Sequence, residues 1–175
     1  NSSLDDKKVF AQRKGESTVF SISNETAKKI FRSFHELRDK KLFKFKTDDA
    51  NKIVIETKQT LFELQKSDSN WNLVKPEKIE IKKFLAKDLL WTMKGMEFDS
   101  IFESDMSPEI TGLTVPAFTV KIWNNKEIIA ELKIGGVDPS NKQYYAQTGK
   151  KNGYYGIKKK YLETIPLDLN SFKFK

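Results

Sequence analysis

Alternating apolar and polar residues predict a β-meander in the first half of the chain. Apolar side chains recur at every second position over residues 52–57, 60–65 and 70–74, which is the spacing of strands with one buried face. Short polar turns separate the three segments. We therefore predict three consecutive strands that pair with their neighbours.

The same alternation predicts a hairpin later in the chain. Residues 117–123 and 127–134 flank the turn Asn124-Asn125-Lys126, and we expect Phe118, Val120 and Ile122 to lie opposite the apolar residues of the second strand. The pair Gly135-Gly136 is expected to end that strand.

Three segments have the periodicity of helices. The first helix is predicted over residues 24–37, and either Ser23 or Asn24 can cap it. A short helix is predicted near residues 161–165. A third helix is predicted over residues 81–96. Its buried stripe is expected to contain Ile81, Phe84, Leu85, Leu89, Thr92 and Met96. Together with the strands, these helices predict an α+β fold of mostly antiparallel sheets with helices packed on them.

Two further predicted hairpins form a partial internal duplication. Val9-Phe10-Ala11-Gln12 and Val19-Phe20-Ser21-Ile22 match Tyr144-Tyr145-Ala146-Gln147 and Tyr154-Tyr155-Gly156-Ile157 in the same order. Each hairpin runs into a helix, and each copy ends on the residues Phe-Lys-Phe-Lys, at 43–46 and at 172–175. Our hypothesis is that residues 1–46 are the tail of a preceding repeat and that residues 47–175 form one full unit.

Composition indicates a folded domain with a real core. Hydrophobic residues make up 38% and aromatic residues 12% of the chain, and the absence of Cys excludes disulfides, thiol nucleophiles and thiolate metal sites. The formal net charge is +8, but the Lys and Glu residues are interspersed, so we interpret the charge mainly as a solvated surface. No apolar run approaches the roughly 20 residues that span a bilayer.

Few residues point to catalysis or metal binding. His35 is the only histidine, and its place on a predicted amphipathic helix favours a structural role over a Ser-His-Asp triad. Asp99, Glu103 and Asp105 can supply oxygens to Ca²⁺, but their spacing departs from the EF-hand. A hydrolytic carboxylate pair depends on three-dimensional separation, so an unrecognised hydrolase stays as an alternative. We predict no catalytic residue, no metal and no cofactor.

The basic C-terminal third suggests another alternative. The lysines are interleaved with tyrosines and can in principle neutralise phosphates while the rings stack on bases. They are Lys150, Lys151, Lys158, Lys159 and Lys160, beside Tyr154, Tyr155 and Tyr161. Strand periodicity would bury one tyrosine of each adjacent pair, so packing explains most of the rings. A polyanion-binding or nucleic-acid-binding module is therefore an alternative rather than the first hypothesis.

Several segments resemble a bacterial family defined as domain of unknown function 4340. They are residues 112–120, 132–135, 144–146 and 154–157, with Trp71-Asn72-Leu73-Val74-Lys75-Pro76 before a helix and Leu37-Arg38-Asp39-Lys40-Lys41-Leu42-Phe43 as the tail. The second tail, residues 167–175, lacks the Arg-Asp-Lys pattern. These motifs consist of strand and turn residues, so they concern the fold rather than chemistry.

The resemblance implies a biological setting that the residues alone do not give. It implies a bacterial protein with a membrane anchor and this domain outside the cytoplasm, in some members beside ABC-transporter components of the gliding-motility type. We therefore expect a non-catalytic binding or scaffold domain with protein partners at the membrane. Its location is expected to be periplasmic or otherwise extracytoplasmic.

Overall fold

The chain forms two compact units. The computed structural model describes residues 8–31, 38–68, 70–82, 84–102, 106–140, 142–149 and 153–173. Contacts divide the chain into Asn1–Asp39 and Lys40–Lys175. The sequence repeat instead predicts a boundary after Lys46, because the first copy ends on the Phe-Lys-Phe-Lys tail. In the structure, that tail lies in the second unit.

The first unit contains the predicted N-terminal hairpin and a helix. Strand β1 (Lys8–Gln12) pairs antiparallel with β2 (Val19–Ser23), and helix α1 (Asn24–Ile30) follows directly. The Ser23 hydroxyl accepts a hydrogen bond from the Thr26 amide at 3.1 Å, which is the arrangement of an N-cap. The helix was expected to reach Leu37, but α1 ends at Ile30 and residues 32–37 lie outside the described part of the chain.

The second unit is built on one nine-stranded antiparallel sheet. Its strand order is β6-β5-β4-β3-β8-β9-β10-β11-β7. The strands are β3 (Lys52–Thr57), β4 (Leu61–Ser67), β5 (Asn70–Lys75), β6 (Ile79–Glu80), β7 (Ser100–Phe102), β8 (Phe118–Asn124), β9 (Glu127–Asp138), β10 (Gln143–Thr148) and β11 (Tyr154–Ile157). The helices are α2 (Leu85–Gly95), α3 (Pro108–Thr111) and α4 (Lys159–Leu162), with 3₁₀ turns at Thr47–Asp49 and Leu169–Ser171. The α+β prediction is confirmed.

Apolar side chains on one face of this sheet form the main core. Ile55 lies opposite Val120 across the β3–β8 pair, and Val120 lies opposite Leu132 across β8–β9, as the alternation predicted for the latter hairpin. All three side chains are fully buried. Burying a Val, Leu or Ile contributes roughly 1.5–3 kcal/mol relative to leaving it exposed, so this row of residues specifies the register as well as the stability.

Helix α2 covers the core with a stripe that overlaps the predicted one only in part, because Leu89 is buried as predicted and so is Met96, just after the helix. Its buried residues are Ala86, Leu89, Leu90 and Met93, at the spacing of one helical stripe. The prediction for Phe84 is wrong, because the helix begins one residue later and 58% of Phe84 is exposed. Ile81 is buried as predicted, but it lies before the helix.

Gly135-Gly136 does not end β9, which continues to Asp138. The strand continues because Val137 and Asp138 pair with Tyr144 and Gln143 of β10. A Cβ atom on Gly135 would lie 2.1 Å from the carbonyl oxygen of Thr111, a distance that real Cβ atoms do not reach. Glycine at this position therefore allows another backbone to approach the strand, which is a known role of strand glycines.

A second, smaller cluster lies on the other face of β10 and β11. It contains Leu113, Tyr145 and Tyr154, with Phe102 and Met106 packed against it. Tyr155 belongs to the main core instead. Because both faces of β11 are covered, Tyr154 and Tyr155 are both buried, and the expectation of one buried tyrosine in that pair is wrong.

The two hairpins of the internal duplication share their register. Val9 lies opposite Ile22, and Tyr144, 135 positions later, lies opposite Ile157, which is 135 positions after Ile22. The helices that follow keep the same offset, since α1 begins at Asn24 and α4 at Lys159. Strand, strand and helix therefore repeat as one structural element, which agrees with the duplication seen in the sequence.

Candidate binding groove

An apolar depression in the described part of the second unit lies beside residues 41–44. This segment is fixed along one side by backbone hydrogen bonds: the Leu42 amide donates to the Met96 carbonyl, and the Phe98 amide donates to the Lys40 carbonyl, both at 3.0 Å. Leu42 and Phe43 belong to the main core. A cavity lies between this segment, β9 and the end of β10, and we call it the groove.

The walls of the groove are mostly apolar. Leu42 and Phe43 form one wall, and Ile128, Ile129 and Ala130 of β9 form the other. The cavity volume is about 470 Å³, within the range of roughly 300–1,000 Å³ that ligand sites occupy. Such a space is large enough for one or two side chains of a partner or for a small apolar ligand.

Polar groups occupy defined places at the edge of the groove. Lys41 and Lys44 are exposed at its rim, and Glu131 lies 3.7 Å from Lys121. Thr148 is buried at the end of β10, and its hydroxyl has no hydrogen-bond partner among the described residues. An unsatisfied buried hydroxyl costs about 1–3 kcal/mol, and this one is enclosed by protein rather than open to the groove.

Each of the three described lysines of the predicted basic surface has a neighbouring group. Lys158 lies 3.1 Å from Asp99, Lys159 lies 3.3 Å from Glu163, and the Lys160 ammonium lies 5.0 Å from the centre of the Tyr161 ring. Lys150 and Lys151 lie outside the described residues. Exposed pairs of this kind are worth about 0–1 kcal/mol each, so they contribute little to stability.

The acidic residues considered for Ca²⁺ are divided between described and undescribed parts of the chain. Asp99 receives a hydrogen bond from the Gln143 side chain at 3.0 Å on the carboxylate oxygen that does not face Lys158. Glu103, Asp105 and His35 lie outside the described residues. Across the residues that the structure describes, no group of three or more His, Asp or Glu side chains is placed to hold a metal ion.

One buried polar pair was missed by sequence reasoning. The pKa of Tyr145 is raised above its ordinary value of 10.0, first by burial and then by the neighbouring Asp138 carboxylate, with which it hydrogen-bonds. Asp138 also accepts a hydrogen bond from the Ser140 amide at 3.0 Å. The Tyr145 ring lies 4.9 Å from that of Phe102. These contacts fix the turn after β9, and the Asp-Pro-Ser sequence of that turn was the available signal.

A comparison with known protein families gives a match that covers the whole chain. The family model described as Domain of unknown function (DUF4340) matches residues 1–110 and again residues 71–175. The chain belongs to this family. Two overlapping matches to the DUF4340 model agree with the partial duplication, because both ends of the chain fit the same family pattern. No curated protein and no solved structure matches the chain.

The description of the DUF4340 family names no activity, so it assigns no residue of the groove a role. Among the residues that the structure describes, no helix is long and apolar enough to cross a membrane. The groove is therefore characterised by its own chemistry, which is apolar walls with Lys41 and Lys44 at the rim.

Proposed function

We propose that this DUF4340 chain is a non-catalytic binding and scaffold domain whose groove holds an extended apolar segment of a partner protein. The observation that carries the proposal is the apolar groove of about 470 Å³ between residues 41–44 and β9. An extended peptide segment fits this arrangement, because its side chains can fill the space between Phe43 and Ile129.

The rim of the groove suggests the charge of the partner. Lys41 and Lys44 place two positive charges beside the apolar walls, and Glu131 has Lys121 within 3.7 Å. An acidic residue next to the apolar segment of the partner would therefore be attracted to the rim. Such rim charges mainly raise the association rate and favour the correct partner, while the buried apolar contacts supply most of the affinity.

We further propose that the domain works outside the cytoplasm, in a membrane-anchored bacterial protein that is accessory to an ABC-type transporter. The support for this setting is the family resemblance of the strand and turn motifs. The two alternatives have less support. The contacts of Lys158, Lys159 and Lys160 give each cation a neighbour within its own unit, and the hydrolase alternative rests only on the general possibility of a carboxylate pair.

Capture from detergent-solubilised membranes of the source organism tests the proposal. The native domain is compared with the double variant Lys41→Glu/Lys44→Glu and with the matched control Lys58→Glu/Lys126→Glu, which reverses two exposed turn charges outside the groove. Thermal unfolding first establishes that all three proteins fold. We expect transporter subunits to be enriched by the native and control proteins and lost from the groove variant.

Two results would contradict the proposal. Equal capture by the groove variant and the control would remove the groove from the interaction, and turnover by pure protein in a broad substrate panel would remove the claim that the domain is non-catalytic. Capture that falls steeply with salt and yields only nucleic acid would favour the polyanion alternative.

A further inference from the structure

The N-terminal hairpin exposes apolar residues whose counterparts in the second copy are buried. Since the two hairpins share a register and a 135-residue offset, each residue of β1 and β2 has a defined counterpart in β10 or β11. The exposed fractions are 59% for Phe10 against 6% for Tyr145, 58% for Val19 against 8% for Tyr154, and 43% for Phe20 against 6% for Tyr155. Both copies thus have large apolar side chains at these positions, but only those of the second copy are buried.

The second copy indicates which strands would bury these exposed residues. There, β10 pairs along its outer edge with β9, and β11 pairs along its outer edge with β7. Within the described chain, β1 and β2 pair with each other alone. A two-stranded hairpin is marginally stable by itself, and open strand edges are templates for further pairing.

We propose that β1, β2 and α1 are the closing element of a preceding unit of the same fold in the parent polypeptide. Strands equivalent to β9 and β7 of that unit pair with the outer edges of β1 and β2. Phe10, Val19 and Phe20 then enter the cores of the preceding unit, on both sides of its sheet, as Tyr145, Tyr154 and Tyr155 do in this one.

The occupant is a preceding unit rather than a second copy of this chain for a structural reason. In each folded copy, the edges of β9 and β7 that would receive the hairpin are already paired with β10 and β11. A second copy could accept β1 and β2 only by releasing its own equivalent hairpin, whose residues Ala146 and Ile157 are fully buried. A preceding unit that lacks its own closing hairpin has no such competition.

Hydrogen exchange followed by mass spectrometry tests this inference on two proteins. One is the 175-residue chain, and the other is the parent gene product extended upstream by about one repeat offset. In the longer protein we expect the amides of β1 and β2 to exchange as slowly as those of β10 and β11. In the shorter chain we expect them to exchange at least 100-fold faster, while β10 and β11 are unchanged.

A point variant makes the test independent of overall folding. Phe10→Asp is compared in both proteins with the control Ser17→Asp, which adds the same charge at an exposed position of the same hairpin. We expect Phe10→Asp to accelerate exchange of β1 and β2 at least tenfold in the longer protein and to have no effect on β10 and β11. The control is expected to change neither.

Three outcomes would overturn the inference. The first is equal exchange of β1 and β2 in the two proteins. The second is slow exchange of β1 and β2 in the shorter chain, whether as a monomer or as a concentration-dependent dimer, because the hairpin would then be covered by this chain itself. The third is a parent gene with no upstream unit of this fold.

Discussion

The rings of Phe62 and Phe172 lie 5.0 Å apart, which joins strand β4 to the C-terminal segment of the chain. Both side chains are almost completely inaccessible, with exposed fractions of 2% and 0%. An aromatic pair of this kind adds about 0.5–1.5 kcal/mol to the free energy of burial. The segment around Phe172 is therefore part of the core.

Removing the Phe172 ring should destabilise the second unit strongly. We expect Phe172→Ala to lower the free energy of unfolding by about 3–5 kcal/mol, because it leaves a cavity against Phe62. The neighbouring Lys173→Ala removes an exposed ion pair with Glu77 and should cost less than about 1 kcal/mol. Urea unfolding measures both. Equal effects of the two substitutions would contradict the packing described here.

The two adjacent glycines of β9 should respond differently to the same change. A Cβ on Gly135 would lie 2.1 Å from the Thr111 carbonyl oxygen, whereas a Cβ on Gly136 would lie 3.7 Å from it. We expect Gly135→Ala to destabilise by about 1–3 kcal/mol through displacement of the backbone around α3, and Gly136→Ala to stay within about 1 kcal/mol of the parent. Thermal unfolding of both variants distinguishes a close backbone approach from a strand-ending role.

Glu63 should make stability depend on pH. Its pKa is lowered below the ordinary 4.5, first by the hydrogen bond from Gln65 at 2.7 Å and also by Lys75, 3.1 Å away. A lowered carboxyl pKa contributes stability that is present above the unfolded value and is lost as pH falls through the folded value.

We therefore expect Glu63→Gln to be less stable than the parent at pH 7, by up to about 1 kcal/mol, and to match it in acid below both pKa values. Denaturant unfolding across this pH range measures the difference. The exposed Glu56→Gln on the adjacent strand is the control. A difference between parent and Glu63→Gln that persists unchanged in acid would contradict the assignment.

Thr148 tests whether the buried hydroxyl at the end of the groove is unsatisfied. Because this hydroxyl has no partner among the described residues, Thr148→Val should leave the free energy of unfolding unchanged or raise it by about 1–3 kcal/mol. Urea unfolding measures the change. Loss of more than about 1 kcal/mol of stability would indicate that the hydroxyl is satisfied in the free protein.

Local sequence patterns predicted much of this fold because strand alternation reports directly on one buried face. The β8–β9 register and the duplicated hairpin followed from residues that lie close together in sequence. The pairing of β3 with β8 did not, since it joins segments on either side of α2. Such pairings depend on tertiary packing, and a short apolar segment does not indicate which distant strand it will pair with.

The errors have similar causes. Phe84 continues the helical spacing of α2 but precedes the helix, so its position in the pattern did not determine its burial. Gly135 was interpreted from local turn preference, whereas a distant carbonyl decides its role. The groove was not predictable from the sequence, because Phe43 and Ile129 become its opposite walls only when the segment before β3 packs beside β9.

Site-specific photo-crosslinking is the most direct test of the binding function. A photoreactive phenylalanine analogue replaces Ile129, inside the groove, or Lys126, exposed in the adjacent turn, in the parent protein within cells that produce it naturally. We expect position 129 to give one discrete crosslinked protein, identified as a transporter subunit, and position 126 to give none. The absence of a crosslink at position 129, or the same products from both positions, would contradict the account.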